Sequence, residues 1–316
     1  MLETSGLQTA PVDHSIVIPI FNEEETLPEL YRRLTAVMGG VGGSYEIILV
    51  DDGSHDRSFP IMRELHQQDA RVKALRFSRN FGHHMALTAG IDYAAGRAVI
   101  LMDGDLQDQP EEIPRLLAKL AEGYDIVHGL RVHRKGHFVK RTASRLFVAA
   151  TNRVIGSGQP INSEIFRVMD RRVVDELKRC REVSRFVTGL VSWLGFRQVG
   201  VDVEHGARYA GRSKYNVWKL VMLALNTFTS FSYFPLQLAS YVGFLTAIAS
   251  LVGGIYLICL KLAFGIPVPG YASFLVAILF LGGIQLIMLG IIGEYVGRIY
   301  TEAQDRPLYV IRERLT

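Results

Sequence analysis

The amino-acid sequence predicts an α/β domain in which helices flank a mostly parallel sheet. It also predicts interfacial amphipathic helices and a C-terminal hairpin of two transmembrane helices. Apolar strand-like runs alternate with helix-length segments from residue 14 to residue 128, the pattern of βαβ units. Two later stretches, 236–260 and 271–293, contain no charged residue, and each is long enough to cross a bilayer. The chain therefore divides into a soluble part and a membrane part.

The soluble part is expected to follow a tail, 1–13, that lacks a signal-peptide pattern. Its buried strands are expected at 14–20, 45–51, 72–77, 99–102 and 125–128. Its helices are expected at 22–38, 56–68, 83–95 and 110–122, the first ending at Gly39-Gly40. No G-x-G-x-x-G follows the first strand and no P-loop motif occurs, which excludes the standard dinucleotide and P-loop sites.

The composition of the 316 residues fits this division. Hydrophobic residues make up 49% and mean hydropathy is +0.18, high for a chain with 21% charged residues, and the excess lies after Tyr233. Basic residues cluster in 131–145 and 208–219, which suits anionic lipid headgroups or phosphates and predicts no nucleic-acid partner. The two cysteines, Cys180 and Cys259, are not expected to pair, in agreement with a reducing cytoplasmic face.

The membrane part predicts an integral, multi-pass protein of the inner (cell) membrane. Basic residues flank the outer ends of the two spans, so the positive-inside bias places the soluble domain and both termini in the cytoplasm. Three glycines, Gly282, Gly283 and Gly290, leave room for close helix packing, and we expect a homo-oligomer.

Two stretches before the hairpin are amphipathic, 138–155 and 215–234, and combine basic with bulky apolar residues. For the first, an interfacial helix and an ordinary core helix are equally good interpretations. For the second, which leads into the membrane, the interfacial helix is favoured. The expected boundaries are 14–214 for the soluble domain, 215–235 for the interfacial helix, 236–297 for the hairpin and 298–316 for a C-terminal tail.

The strongest chemical signal is the stretch Asp103-Gly-Asp-Leu-Gln107, which follows the fourth strand. Asp103, Asp105 and Gln107 offer two carboxylates and an amide oxygen, a donor set that suits Mg²⁺ or Mn²⁺. Both carboxylates reach one ion only if the chain turns, and Gly104 permits a turn. The alternative interpretation of an isolated D-x-D is a strand-end turn with solvated acids.

Four stretches carry a family resemblance: Ile18-Pro-Ile-Phe-Asn-Glu23, Val50-Asp-Asp-Gly-Ser54, Asp103-Gly-Asp-Leu-Gln107 and Arg208-Tyr-Ala-Gly-Arg-Ser-Lys-Tyr215. Their order and spacing resemble glycosyltransferase family 2, which has the GT-A fold. Within that family, with the hairpin, the chain resembles the polyprenyl-phosphate glycosyltransferases, which include dolichol-phosphate mannose synthase and the bactoprenol glucosyltransferases.

The resemblance implies a donor site and a metal site. Pro19, Phe21, Glu23, Asp52 and Asp103 would bind the nucleotide sugar, and Asp52 would accept a hydrogen bond from the base. The same resemblance implies that Asp103, Asp105 and Gln107 hold the divalent metal on the diphosphate.

On the acceptor side, the implied phosphate-binding residues are Arg131, Arg141, Ser144, Arg208 and Lys214. The implied catalytic residues are Asp103, Asp105, Arg131, Arg208 and Lys214. For each basic residue, the alternative is a solvated or lipid-facing charge. A lipid phosphate is already anionic at neutral pH, so it needs positioning by cations more than it needs a strong general base.

The sequence departs from the family pattern before Phe166, where relatives carry an acidic residue. Either Glu164 fills that position or the acid is dispensable, and Asn162 stands nearby. His83 and His84 follow Gly82 at the start of a helix, and the sequence assigns them no role.

The expected reaction is metal-dependent, inverting transfer of a hexose, best guess glucose, from a UDP-sugar to polyprenyl (undecaprenyl) phosphate. The expected products are UDP and a β-linked lipid-phosphate sugar, which a flippase would move onward. The alternatives are a catalytically silent membrane sensor or scaffold for sugar nucleotides and a processive polysaccharide synthase. A synthase would need more spans and a Q-x-x-R-W motif, neither of which the sequence shows.

Overall fold

The structure is a computed structural model that describes residues 12–131, 165–183, 185–204, 206, 234–264 and 270–316. The described residues belong to two compact units. The first contains those up to residue 206 together with Pro307–Thr316, and the second contains those from 234 to 306. Both expected amphipathic stretches, apart from Phe234, lie outside the described residues.

One sheet organises the first unit. Its strands in the described part of the chain are β1 His14–Ile20, β2 Tyr45–Asp51, β3 Val72–Phe77, β4 Ala98–Leu101, β5 Ile126–Arg131, β6 Arg167–Asp170, β7 Gln198–Val203 and β8 Ile311–Leu315. Their order is β7-β5-β6-β4-β1-β2-β3-β8. Among these described strands, only β6 and β8 run antiparallel to their neighbours. The carboxyl ends of the other strands therefore meet at one edge, as the predicted mostly parallel sheet requires.

Helices pack on both faces of this sheet. Those described in the first unit are α1 Leu27–Val41, α2 Ser58–Gln68, α3 His83–Tyr93, α4 Ile113–Ala121, α5 Arg171–Arg179 and α6 Val187–Trp193, with a 3₁₀ turn at Pro110–Glu112. Ile16, Ile18 and Ile20 of β1 join the apolar cluster that contains the buried face of α1. On the opposite face, Val17 packs so closely on α3 that a Cβ at Gly90 would lie 2.1 Å from its Cγ1.

The predicted end of α1 is wrong, because the helix continues through Gly39 and Gly40 to Val41. Each glycine costs about 1 kcal/mol relative to alanine in a helix. The buried side chains on the core face hold the helix as far as Met38, the residue before Gly39. The helix ends where Gly42 takes a φ of +80°, a backbone conformation that favours glycine.

The expected tail, 298–316, is also corrected by the structure. The C-terminal residues Ile311–Leu315 form β8, which pairs antiparallel with β3. Tyr309 stacks on Phe77 with ring centroids 5.3 Å apart and donates a hydrogen bond of 2.8 Å from its hydroxyl to Asp92 Oδ2. The end of the chain is therefore an edge strand of the soluble sheet.

The second unit consists of two long helices in the described part of the chain, α7 Phe234–Phe264 and α8 Tyr271–Ala303. By length and composition, Ala239–Ala263 and Phe280–Ala303 are long and apolar enough to cross a membrane. The helices overlap the expected spans, and many of their large apolar side chains are exposed. These features indicate membrane association.

A buried histidine makes the stability of the first unit depend on pH. His128 on β5 is 5% exposed, and its Nε2 lies 2.8 Å from Gln198 Oε1. Burial lowers the pKa of His128 to about 3, and the charge of Arg167 acts in the same direction. An unfolded chain binds this proton below about pH 6.5 while the folded chain does not, so the free energy of unfolding falls as pH drops from there.

We therefore expect the detergent-purified protein to melt at a lower temperature at pH 5 than at pH 7.5. The loss from one such group is at most about 1.4 kcal/mol per pH unit. In His128→Gln, whose amide still donates a hydrogen bond to Gln198, the difference between the two pH values should shrink. An equal difference in both proteins, measured by intrinsic-fluorescence melting, would contradict this assignment.

Candidate active site

A crevice opens where β1 and β4 stop pairing. The last residue pair between these strands is Val17 with Leu101, and Val17 O still accepts a hydrogen bond from Met102 N. The next residue of β1 whose backbone points toward β4 is Pro19, which has no N–H to donate. The strand order also changes direction between β1 and β4, and open α/β sheets bind ligands at such a point.

Hydrogen bonds join the loops that follow β1 and β2 into one wall of the crevice. Asn22 N donates to Ser54 Oγ (3.0 Å), and His55 N donates to Asn22 Oδ1 (2.9 Å). Glu23 N donates to Ser58 Oγ at 2.8 Å. Because each loop satisfies polar groups of the other, the wall is formed before any ligand binds.

The structure places the expected nucleotide residues of β1 along this wall. Pro19 is buried within β1. Phe21 is 43% exposed and makes an edge contact with His55, so one aromatic surface remains available for a planar ligand. The Glu23 carboxylate accepts a hydrogen bond of 2.9 Å from Thr26 Oγ1, which holds it at the start of α1.

Asp52 holds the loop that leads into α3. Its Oδ1 accepts from Phe81 N at 2.7 Å, and its Oδ2 accepts from Gly82 N at 3.0 Å. Burial raises the pKa of Asp52, against the effect of these N–H groups. A carboxylate has about four acceptor positions. Contact with a base therefore remains chemically open to Asp52, and that role stays a prediction.

The loop after β4 turns at Gly104-Asp105, as expected. The predicted reason, the backbone freedom of Gly104, is wrong. Its φ is outside the left-handed region, and a Cβ there would lie 2.8 Å from Ile20 Cδ1. The left-handed residue is Leu106, with a φ of +60° and 3% exposure. Gly104 is thus needed for close packing on β1, and burial of Leu106 helps to hold the unfavourable backbone.

The same loop suits a divalent metal ion. Asp105 Oδ1 accepts a hydrogen bond of 3.1 Å from Gln107 N, which fixes the carboxylate, and the Asp103 side chain is 31% exposed. No group of three or more His, Cys, Asp or Glu side chains with metal spacing occurs among the described residues. Mg²⁺ commonly binds one or two carboxylates plus substrate phosphates, so this loop fits that mode.

His83 is a site residue that the sequence analysis missed. Its Nε2 lies 3.4 Å from Asp103 Oδ1 at the mouth of the crevice. Partial desolvation lowers the pKa of His83, while the charges of Asp52 and Asp105 act in the opposite direction. One signal was present in the sequence: a histidine that begins a helix directly after a parallel strand lies at the carboxyl edge of the sheet.

The expected acceptor residues are only partly described. Arg131 is the last residue of β5, opposite Val203 of β7, and therefore lies at the same edge of the sheet as Asp103. Gly206 N donates a hydrogen bond of 2.9 Å to Gln107 O, so the chain after β7 passes beside the loop with the carboxylates. Lying outside the described residues are Arg141, Ser144, Asn162, Glu164, Arg208 and Lys214.

Comparison with known proteins decides the family. Residues 15–178 match Glycosyl transferase family 2, and residues 234–299 match the GtrB C-terminal hairpin. The chain belongs to glycosyltransferase family 2. The predicted family and enzyme class are thus confirmed, and this chain is a glycosyltransferase.

Relatives of this glycosyltransferase align over nearly its full length. An uncharacterized glycosyltransferase of Bacillus subtilis (strain 168), YkcC, is 44% identical over 96% of this chain and 94% of its own. The bactoprenol glucosyl transferase of Shigella phage SfII is 42% identical over 95% of this chain and 97% of its own. A prophage bactoprenol glucosyl transferase homolog of Escherichia coli (strain K12) is 40% identical over 94% of this chain and 98% of its own.

A solved structure confirms the predicted GT-A-like fold. The glucosyl-3-phosphoglycerate synthase of Mycobacterium tuberculosis, in complex with Mn²⁺, UDP and phosphoglyceric acid, superposes with a TM-score of 0.50. The match covers 69% of this chain and 76% of that chain at 19% identity. This likeness concerns the fold alone.

Gly53 offers a test of the packing between the loop after β2 and the loop that leads into α3. It has a φ of +74°, and a Cβ there would lie 2.7 Å from the backbone of Arg79 and Asn80. We expect Gly53→Ala to lose at least about 1–2 kcal/mol of unfolding free energy from its left-handed backbone alone. The control Gly39→Ala adds a Cβ in open space on α1 and should stabilise by up to about 1 kcal/mol. Similar melting temperatures for the two variants would contradict the packing described here.

Proposed function

We propose that this glycosyltransferase moves a hexose from a UDP-sugar to a polyprenyl phosphate, releasing UDP and a β-linked lipid-phosphate sugar. The observation that carries the proposal is the convergence of three carboxylates, those of Asp52, Asp103 and Asp105, on His83 at the carboxyl edge of the sheet. The relatives named as bactoprenol glucosyl transferases support a lipid acceptor, and the proposed sugar and acceptor are therefore glucose and undecaprenyl phosphate.

On the donor side, the proposed roles follow from the chemistry of each group. Phe21 offers an apolar surface to the base, and Asp52 offers a carboxylate to a base N–H. Asp103, Asp105 and Gln107 would hold Mg²⁺ or Mn²⁺ on the diphosphate. When bound, that ion supplies positive charge that offsets the negative charge on the departing UDP.

On the acceptor side, cations replace a strong base. The second pKa of a phosphomonoester is about 6, so the lipid phosphate is an anionic nucleophile at neutral pH. The proposed binding set is Arg131, Arg141, Ser144, Arg208 and Lys214, since guanidinium groups bind phosphate through paired hydrogen bonds and lysine acts as a point charge. Direct attack on the anomeric carbon opposite the leaving group inverts its configuration.

The proposed membrane arrangement has both termini and the catalytic domain in the cytoplasm. Chain connectivity supports it: α7 and α8 lie between segments of the same sheet, because β8 follows them in sequence and pairs with β3. Two crossings return the chain to its starting side. The proposal includes an inner-membrane location, a homo-oligomer, and a lipid-flipping step that consumes the product.

The function is tested with full-length protein in detergent, undecaprenyl phosphate, Mn²⁺ or Mg²⁺, and a panel of radiolabelled UDP- and GDP-sugars. We expect label from one UDP-sugar in the organic phase. EDTA should abolish transfer, and Asp105→Asn should reduce it by at least about 100-fold. The matched control Asp175→Asn removes an exposed carboxylate on α5 and should leave activity unchanged. Donor binding without transfer to any lipid would contradict the proposal and favour a sugar-nucleotide sensor.

A further inference from the structure

The residues that lead into α3, together with its first residue, connect the two carboxylate-bearing loops of the crevice. Phe81 N and Gly82 N donate to the Asp52 carboxylate, on the side of the expected base. The next residue, His83, brings its Nε2 to 3.4 Å from Asp103 Oδ1, on the side of the expected metal. Three consecutive residues therefore fix one loop and contact the other.

The geometry around His83 fits a hydrogen-bond donor. The groups that face it are the carboxylates of Asp52, Asp103 and Asp105 and the ring of His84, whose centroid lies 5.8 Å away. An imidazole N–H satisfies a carboxylate oxygen, whereas an imidazole lone pair would repel it. The separation of 3.4 Å is slightly longer than an ordinary N–H···O bond. Contacts of this kind commonly tighten when substrate binds.

The neighbouring histidine provides a contrast. His84 turns toward α6 and makes an edge contact with Phe186, with ring centroids 5.2 Å apart. Burial lowers the pKa of His84 to about 4, so it is neutral at physiological pH. His84 packs within the unit, whereas the His83 side chain is 44% exposed and lies beside Asp103. Adjacent residues of the same type thus have different surroundings.

We propose that His83 is a positioning residue for the metal site, donating a hydrogen bond from Nε2 to Asp103 and so orienting that carboxylate toward a divalent cation. Carboxylates that ligate metals are themselves commonly held by hydrogen bonds from a second layer of residues. Loss of such a partner typically weakens metal binding by about 10–100-fold. This inference rests on the proposed function, because the metal belongs to that proposal.

The test measures Mn²⁺ binding in the presence of UDP by electron paramagnetic resonance, which needs no turnover. We expect His83→Ala to raise the Kd for Mn²⁺ by at least about 10-fold. His83→Gln, whose side-chain amide can donate from a comparable position, should recover most of the affinity. His84→Gln is the matched control and should bind Mn²⁺ as the wild type does, and melting temperatures of all variants verify folding.

Transfer assays add a second readout. In His83→Ala, raising the Mn²⁺ concentration should restore most of kcat, because only the orientation of a ligand has been lost. Wild-type affinity in His83→Ala would overturn the inference. Equal weakness of the alanine and glutamine variants would also overturn it, since that result indicates direct ligation by the imidazole.

The experiments distinguish failure of the proposed function from failure of the inference about His83. A wild-type protein that binds Mn²⁺ and UDP but transfers no sugar would contradict the function, while the binding comparison of the His83 variants would still decide the inference. A wild-type protein that binds neither would overturn both.

Discussion

The site depends on a constraint at the end of β1. Parallel strands continue to pair only while each residue facing its neighbour has both an N–H and a C=O to offer. Pro19, two residues after the last paired residue, Val17, has no N–H to offer on the side of β4. Backbone pairing stops there, and the loops that carry Phe21 and Asp103 leave the sheet from neighbouring strands. The end of this pairing coincides with the point where the strand order changes direction, which is where open α/β sheets bind ligands.

Once the crevice exists, its electrostatics must be balanced. Three carboxylates, those of Asp52, Asp103 and Asp105, lie close enough to influence the single imidazole of His83. Backbone N–H groups stabilise two of them: those of Phe81 and Gly82 act on Asp52, and that of Gln107 acts on Asp105. Such preorganised donors oppose the mutual repulsion of the acids and leave a negative site that favours a cation. The same acids that would bind a metal therefore need local support when no metal is present.

Much of this arrangement can be predicted from sequence, because it depends on local pattern. The runs that became β1, β2 and β4 alternate with helices, and polar residues follow each of them closely. Both the strands and the edge of the sheet that carries the acids were therefore predicted correctly. The role of Gly104 was not predicted correctly, because only the folded structure shows Ile20 packed against it. The left-handed backbone of Leu106 was also unpredictable, because leucine disfavours it and tertiary burial must hold it.

Other features depend on partners that are remote in the chain. The segment that forms β8 is short and basic, and its partner β3 lies more than 200 positions earlier in sequence. No local pattern distinguishes such a strand from a charged tail. His83 was missed for a similar reason: a histidine at a helix start commonly has a structural role, and only the folded structure brings Asp103 Oδ1 within 3.4 Å of its Nε2. Sequence alone therefore identified the acids but not their supporting contacts.

Strand β8 has a consequence for biosynthesis. A ribosome completes β1 to β7 before it makes the two hydrophobic helices, but it makes β8, the strand that covers the edge of β3, only after them. The hairpin is thus an insertion within the sheet's sequence, and the first unit has an open edge on β3 until β8 has been made. An uncovered edge strand readily pairs with other chains. Completion of the sheet therefore waits for synthesis of both hydrophobic helices, which couples the folding of the first unit to the synthesis of the second.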